Sequence, residues 1–493
     1  MMNSIEQILH SMDMQYHEKR ANMARVAEDS LPPLKISDET KLYLDKKILC
    51  DMNEGTRPYR PRYVLPDYVK FMKQGSEYLD IEPPKDLYEA VNALMILYRY
   101  VPSITGYPVY VGQIDDVLEP FMNTVSEKEA YNLIKMLLIN IDRNLPDAFV
   151  HMNIGPKDTK VGRLVIQIER ELRKTIPNVT LKCSEETPDD LIKYGIESAL
   201  ENIKPYFVNH KLMTSDLGED YGVVSCYNSL RIGGGAHTLT RLNLKALAQE
   251  SESYDDFINN QLPKAVKALG ELTNARIKYL VEDVKFFESS FLAKEGLIDL
   301  NKFTSMLGIY GTFECVEIFT GKQMGHDEHA NDIAEEICKV FAKLVKSEEA
   351  VYCGGTNGEH GVHAQGGLES DIDTTPAVRI KYGCEPSIFD NINLSSRLHK
   401  YFNTGCSDIY LFDETAKNNI DGMLKVVKGA IDSGIRVLSI NSDSSEFVRI
   451  TGYLVKKSDV KKFNDGESLR EDSVVLGALT MKNGIEERKV RNV

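Results

Sequence analysis

The sequence has 493 residues, 42% hydrophobic and 27% charged, the balance of a chain that folds around a core rather than one that stays disordered. Lys and Arg number 59 against 74 Asp and Glu, and a formal net charge of −15 argues against a nucleic-acid partner. No run approaches 18 apolar residues and the first residues carry no apolar signal core, so no membrane partner and a cytoplasmic setting are expected.

Residues 1–50 read as a polar helical segment. Pro58, Pro61 and Pro66 then interrupt any helix, which predicts an ordered, extended connection. Helical periodicity marks 86–101 and 127–141, and beyond Asn153 helices alternate with strand-like runs such as Asn178–Cys183. The stretch 256–298 reads as the longest regular helical region. Residues 351–386 are rich in Gly, His, Asp and Thr with little periodicity, the composition of a loop that carries function. A helix near 418–434, a strand near 436–441 and the segment 444–457 close the chain. Alternation without a clean break predicts one large α/β domain.

Common site signatures are missing. Eight cysteines are spread singly, with no Cys-x-x-Cys, so each reads by default as a reduced, buried apolar residue. There is no dinucleotide fingerprint, phosphate loop or Gly-x-Ser-x-Gly elbow. The glycine run between Arg231 and His237 reads better as a bulge or close backbone approach than as an anion cradle. His326 with His329, and His360 with His363, read as hydrogen-bonded loop histidines rather than metal ligands. Neither a metal nor a tightly bound cofactor is expected.

The informative segment is Arg449-Ile-Thr-Gly-Tyr453. It reads plainly as a strand holding one glycine. It also resembles the Arg-Val-x-Gly-aromatic signature of glycyl radical enzymes. A radical on a backbone α-carbon needs planarity, delocalisation into both flanking peptide groups, and an approach free of a side chain, which only glycine offers. A second segment, Gly222-Val-Val-Ser-Cys226-Tyr-Asn-Ser followed by a glycine-rich run and Leu242-Asn-Leu244, resembles the radical cysteine loop of anaerobic ribonucleotide reductases. Met306–Glu314, Thr374–Arg379 and Tyr401–Thr404 resemble further segments of that group in the same order.

Over nearly its whole length the chain resembles the YjjI family of glycyl radical enzymes. The matching features are Asp51–Gly55, Pro61–Asp67, Asn153–Pro156, Val224–Ser229, His363–Gln365 and Arg449–Tyr453. The resemblance implies a ten-stranded α/β barrel of two five-stranded half-sheets, with the cysteine and glycine loops meeting inside. On that footing 1–50 is the N-terminal helical segment, 51–440 the barrel and 441–493 the glycyl radical segment. It also implies a glycyl radical on Gly452, installed by a separate S-adenosylmethionine and iron–sulfur activase, and a homodimer. Features of other glycyl radical groups are missing: no cysteine lies between Cys406 and Gly452, where anaerobic ribonucleotide reductases carry zinc ligands, there is no Cys-Cys pair as in pyruvate formate-lyase, and Gly383-Cys384-Glu385-Pro386 lacks the spacer of the dehydratase motif.

Gly452 and Cys226 are therefore the expected radical pair. Glu314, His363 and Asp371 are candidates for proton transfer or hydroxyl recognition, each weighed against a structural hydrogen bond. The expected substrate is a small, hydroxylated, polar molecule, sugar- or nucleoside-like. Ribonucleotide reduction is the alternative, and a catalytically silent binding relic is a third reading that the joint presence of Cys226 and Gly452 disfavours.

Overall fold

The computed structural model describes all residues except 1–3, 13, 51, 53, 365, 367–370, 372, 468–472, 482, 483, 492 and 493. Asp51 and Asn53 of the first matching motif, and Gln365 of the histidine motif, thus lie outside the described residues. The strands in chain order are β1 (Leu49–Cys50), β2 (Tyr63–Leu65), β3 (His151–Ile154), β4 (Asn178–Cys183), β5 (Tyr206–Asn209), β6 (Tyr221–Val224), β7 (Asn228–Arg231) and β8 (Gly234–Asn243). After them come β9 (Phe303–Tyr310), β10 (Gly361–Ala364), β11 (Asp408–Phe412), β12 (Val437–Ser442), β13 (Phe447–Arg449), β14 (Leu454–Lys456) and β15 (Val490–Arg491).

Two sheets wall an α/β barrel. In the first, β1 and β2 pair antiparallel with β8, while β9 and then β10 continue in parallel. The second runs β15-β11-β12-β5-β4-β3 and is parallel except where β12 meets β5. Among the described residues the half-sheets thus hold five and six strands, the sixth being the two-residue edge β15.

The glycine run opens β8. A Cβ on Gly234 would lie 2.2 Å from the Lys302 carbonyl oxygen, and one on Gly235 2.1 Å from that of Tyr63. Bare backbone is required where neighbouring chains close in on both sides. A register shift between Ala236 and Leu239 adds a bulge. Close approach and bulge, rather than an anion cradle, account for the run.

Helices cover both sheets from outside. Leu87–Tyr98, Glu127–Asn144, Lys160–Leu172 and Ile420–Ser433 start at the capping side chains of Asp86, Ser126, Thr159 and Asn419. Ser126 and Glu129 form a reciprocal capping box. The apolar sides of these helices join Met152, Leu181, Phe207 and Leu438 of the second sheet in one buried cluster. Leu262–Lys278 and Glu328–Ser347 back the first sheet through Leu242, Leu307, Ile309 and Val362. The region 256–298 is less regular than its periodicity suggests: π turns flank Leu262–Lys278, and the helix ends before Lys285, whose φ is +56°. Residues 1–50 contribute the helices Ser4–His10, Tyr16–Asp29 and Asp38–Asp45. No helix among the described residues is long and apolar enough to cross a membrane. Two hairpins, β6–β7 and β13–β14, form a third buried cluster with residues of β5 and β12, and this cluster holds the site.

Candidate active site

Strands β6 and β7 pair from Tyr221 with Arg231 to Val224 with Asn228, leaving Ser225, Cys226 and Tyr227 as the tip. Asn153 on β3 imitates a neighbouring strand: its side chain donates to the Val223 carbonyl at 2.8 Å and accepts from the Val223 N–H at 2.7 Å. Asn228 Nδ2 donates to the Val224 carbonyl at 3.1 Å. Ser225 is left-handed, φ +58°, a conformation that costs a non-glycine residue roughly 1–2 kcal/mol. Its carbonyl accepts a hydrogen bond from His151 Nδ1 at 3.0 Å. A carbonyl only accepts, so Nδ1 carries the hydrogen and Nε2 accepts from the Thr180 hydroxyl at 2.7 Å. Burial lowers the His151 pKa to about 3, which keeps this ring neutral.

The Arg449–Tyr453 segment is not a continuous strand. Arg449 pairs with Leu454, and Ile450 N–H donates to the Tyr453 carbonyl at 2.9 Å, so Ile450–Tyr453 form the tip of a second hairpin. Its carbonyls are gathered by cations. Arg488 Nη1 donates to Arg449 O at 3.2 Å and Nη2 to Ile450 O at 3.3 Å. Arg379 Nη2 donates to Thr451 O at 3.0 Å. The Gly452 carbonyl accepts from the Tyr206 hydroxyl and, at 3.4 Å, from Arg449 Nη1. Burial lowers the Arg449 pKa to about 10.

The two tips meet. A Cβ built on Gly452 would lie 2.0 Å from Cys226 Cβ and 2.6 Å from its Sγ. The α-hydrogen in that position therefore points at the cysteine, and Sγ lies within about 4 Å of the Gly452 α-carbon, one carbon–carbon bond further on. Gly452 is not in the left-handed region, so contact with Cys226 rather than backbone angle demands a glycine here. Cys226 is 7% exposed, and burial pushes its thiol up to about 11, so the sulfur keeps its hydrogen at neutral pH.

The barrel wall sets His363 against the cysteine tip and ties Asp371 to the same row of residues. In cross-strand register, Cys50 on β1 faces Arg241 on β8, Arg241 faces Gly308 on β9, and Gly308 faces His363 on β10. Side chains in one such row share a face of the sheet. His363 ends the row stacked on Tyr227, ring centroids 5.8 Å apart, with Nδ1 donating to Thr404 O at 3.2 Å. Asp371 forms a two-pronged ion pair with Arg241, both of them buried. The Arg241 guanidinium lies 4.2 Å above the Tyr310 ring, and the Tyr310 hydroxyl sits 3.0 Å from Cys50 Sγ. Glu314 stands apart from this row: both its oxygens accept from the Thr375 N–H, and Oε1 also accepts the Thr375 hydroxyl at 2.5 Å. Cys384 lies elsewhere, half-buried, its carbonyl 2.7 Å from His326 Nε2 and its side chain packed on the cluster behind the first sheet. Among the described residues no group of three or more His, Cys, Asp or Glu is arranged to hold a metal ion.

Sequence reading did not assign Tyr206, His151, Arg379, Arg488 or Cys50. Arg379 sits inside a segment already matched, Thr374–Arg379, but nothing there indicated its hold on the glycine tip. His151 and Tyr206 are single polar or aromatic residues in buried strands, a pattern with no signal of its own.

Comparison with known proteins gives the family and the fold. A family described as glycyl radical enzyme YjjI-like matches residues 14–491. The uncharacterized protein YjjI of Escherichia coli is 39% identical over 488 residues, covering 97% of this chain and 93% of its own length. Among solved structures, hydroxyproline dehydratase from Clostridioides difficile aligns with a TM-score of 0.68 at 12% identity, covering 99% of this chain and 88% of that one. An anaerobic ribonucleotide reductase from Thermotoga maritima aligns with the same TM-score at 10% identity, covering 92% and 93%.

Proposed function

This chain belongs to the YjjI-like family of glycyl radical enzymes, and from that premise we propose that Gly452 stores the radical and Cys226 is the hydrogen-abstracting thiol. The observation that carries the assignment is the contact at the hairpin tips, where the Gly452 α-hydrogen faces the Cys226 side chain, with Sγ within about 4 Å of the α-carbon. The site fits a carbon-centred radical. There is no room for a side chain, the sulfur is protonated, and the flanking carbonyl is hydrogen-bonded. A separate S-adenosylmethionine and iron–sulfur activase removes one hydrogen atom from Gly452 to create it.

In turnover, Cys226 passes its sulfur-bound hydrogen atom to the Gly452 α-carbon: the S–H bond breaks, a C–H bond forms, and the unpaired electron moves to sulfur. Cys226 then takes a hydrogen atom from a substrate carbon, re-forming S–H and leaving the unpaired electron on that carbon. The substrate class is a small, hydroxylated, polar molecule. Its support is the row of Arg241 and His363 with Asp371, which offers charged and neutral hydrogen-bonding groups on the wall beside the cysteine tip. His363 and Asp371 recognise hydroxyl groups or move the proton that lets one leave as water. Glu314 acts indirectly, by fixing the Thr375 loop. A homodimer, oxygen sensitivity and a cytoplasmic setting belong to the same reading through family membership.

The test is anaerobic activation of the full chain with its activase, followed by electron paramagnetic resonance. A doublet from the one remaining α-hydrogen is expected, and air should then cut the backbone at Gly452. A doublet that survives in Gly452→Ala, or cleavage at another residue, overturns the assignment.

A further inference from the structure

We propose that Tyr206 is a positioning residue that sets the energy of the resting radical, by donating its hydroxyl hydrogen bond to the Gly452 carbonyl. The inference rests on Gly452 as the radical store. An unpaired electron on a glycine α-carbon is shared with the peptide nitrogen on one side and the carbonyl on the other. A donor on that carbonyl oxygen draws spin towards it and lowers the energy of the glycyl state. The same donor does nothing for an electron on Cys226 Sγ. Tyr206 therefore biases the exchange between the two residues towards storage.

The surroundings of Tyr206 suit that task. The residue is 1% exposed, and its ring packs against the Arg449 guanidinium, 3.8 Å from the centroid, and against the His151 ring, 5.4 Å away and tilted by only 16°. Buried and packed against both groups, the phenol has little freedom to leave the carbonyl. Burial also raises the phenol pKa, so the oxygen keeps the hydrogen it donates. His151 hydrogen-bonds the carbonyl of Ser225, the residue before the cysteine. One stack thus holds a carbonyl of each tip, and fixes the approach of sulfur to α-carbon as well as the electronics of the glycine.

Tyr206→Phe keeps the ring and removes the donor. After anaerobic activation its doublet should be wider than that of the unmodified protein, because more spin stays on the α-carbon. The radical should also be lost to an added thiol about five-fold faster, the shift expected when one neutral hydrogen bond is removed. A purely structural role for Tyr206 would leave the splitting unchanged, so an unchanged doublet overturns the proposal. Should the variant not fold, pulsed electron–nuclear double resonance on activated Cys226→Ala in heavy water reads the same bond. The hydroxyl deuteron of Tyr206 should couple to the radical at hydrogen-bond distance, and its absence overturns the proposal. A doublet that survives in Gly452→Ala removes the premise and the proposal with it; a doublet lost there but unchanged in Tyr206→Phe removes only the role of Tyr206.

Discussion

The two hairpins that meet at the site are alike in outline and different in how they are held. The cysteine hairpin is stitched to the barrel through its backbone: Ser225 N–H donates to Val109 O at 3.4 Å and Ser229 N–H to Thr404 O at 2.9 Å. It then runs almost directly into β8, the longest strand of the first sheet. Until Lys457 opens the helix Lys457–Asn464, the glycine hairpin, residues 446–457, makes its backbone–backbone bonds only within itself among the described residues. Side chains hold it instead: Arg379, Arg449, Arg488 and Tyr206 on the carbonyls of the tip. One tip is part of the barrel framework and the other is clamped onto it. That difference matches the tasks proposed for them, since a hydrogen-abstracting sulfur must stay where the substrate is, whereas a radical-storing glycine must at some point be reached by an activase.

The largest expected effect separates the tips chemically. Cys226→Ala should abolish turnover while the glycyl doublet still forms, because activation acts on the glycine. It should also stop the exchange of the Gly452 α-hydrogen with solvent. In heavy water the unmodified protein should collapse from a doublet towards a single line, as deuterium is carried in through the S–H group, and Cys226→Ala should keep its doublet. Retained turnover in Cys226→Ala would move the working sulfur elsewhere. Cys384→Ala is the control for that outcome, and it should stay within about two-fold of full activity, as expected for a residue away from the site.

Next in size is Gly452→Ala. Its backbone angles tolerate a Cβ, but that Cβ would sit 2.0 Å from Cys226 Cβ and 2.7 Å from Cys226 Cα, so one tip must move. Loss of the radical signal should come with destabilisation of about 1–3 kcal/mol, the usual range for overpacking a filled interior. Urea unfolding of the inactive proteins measures it, and a variant as stable as the parent would mean that the tips do not touch as described.

That Cys226 and Gly452 should meet was legible because each lies in a short segment that resembles a specific family motif. The geometry around them was not. Phe447–Lys456 is rich in β-formers with no Asn-Gly or Asp-Gly pair, so nothing in its pattern announces a turn at Gly452. The helices were readable from apolar periodicity, yet the break before Lys285 carries neither Gly nor Pro. Glu314, His363 and Asp371 were equal candidates in sequence, and only strand register sets His363 in a row with Arg241, the partner of Asp371, while Glu314 is turned to Thr375. Tyr206 and His151 matter through a stack formed by strands far apart in the chain, which local pattern does not encode.

A smaller effect sharpens the mechanical side of the comparison. If side chains alone clamp the glycine hairpin, the amides of 446–457 should exchange with heavy water by local opening before those of 221–231. Arg488→Ala removes donors from two tip carbonyls, Arg449 O and Ile450 O, and charge-assisted bonds of this kind contribute about 1.5–3 kcal/mol each. The variant should therefore speed exchange across 446–457 at least ten-fold and leave 221–231 within about two-fold, as an opening confined to one unit would. Hydrogen-exchange mass spectrometry on the full chain resolves the two segments. Equal acceleration in both would mean that the hairpins open together.

The smallest expected effect concerns pH, and it tests the state of the sulfur. An ordinary cysteine, with a pKa near 8.5, is about three-quarters thiolate at pH 9, and a thiolate has no hydrogen atom to pass on. Burial holds the Cys226 thiol up to about 11, so at pH 9 only about 1% of it is ionised. The rate of α-hydrogen exchange between Gly452 and solvent should accordingly stay flat from about pH 6 to 9, the interval below that raised pKa. The sign for stability follows from the same shift. A thiol whose pKa rises on folding stabilises the folded state fully below its unfolded value, and that contribution is lost as pH climbs through the folded one. The cysteine tip should thus begin to weaken above about pH 8.5 and lose this contribution fully towards about pH 11. An exchange rate that falls with a midpoint near 8.5 would show a thiol open to water, and the contrast between a framework-bound cysteine tip and a clamped glycine tip would lose its electrostatic half.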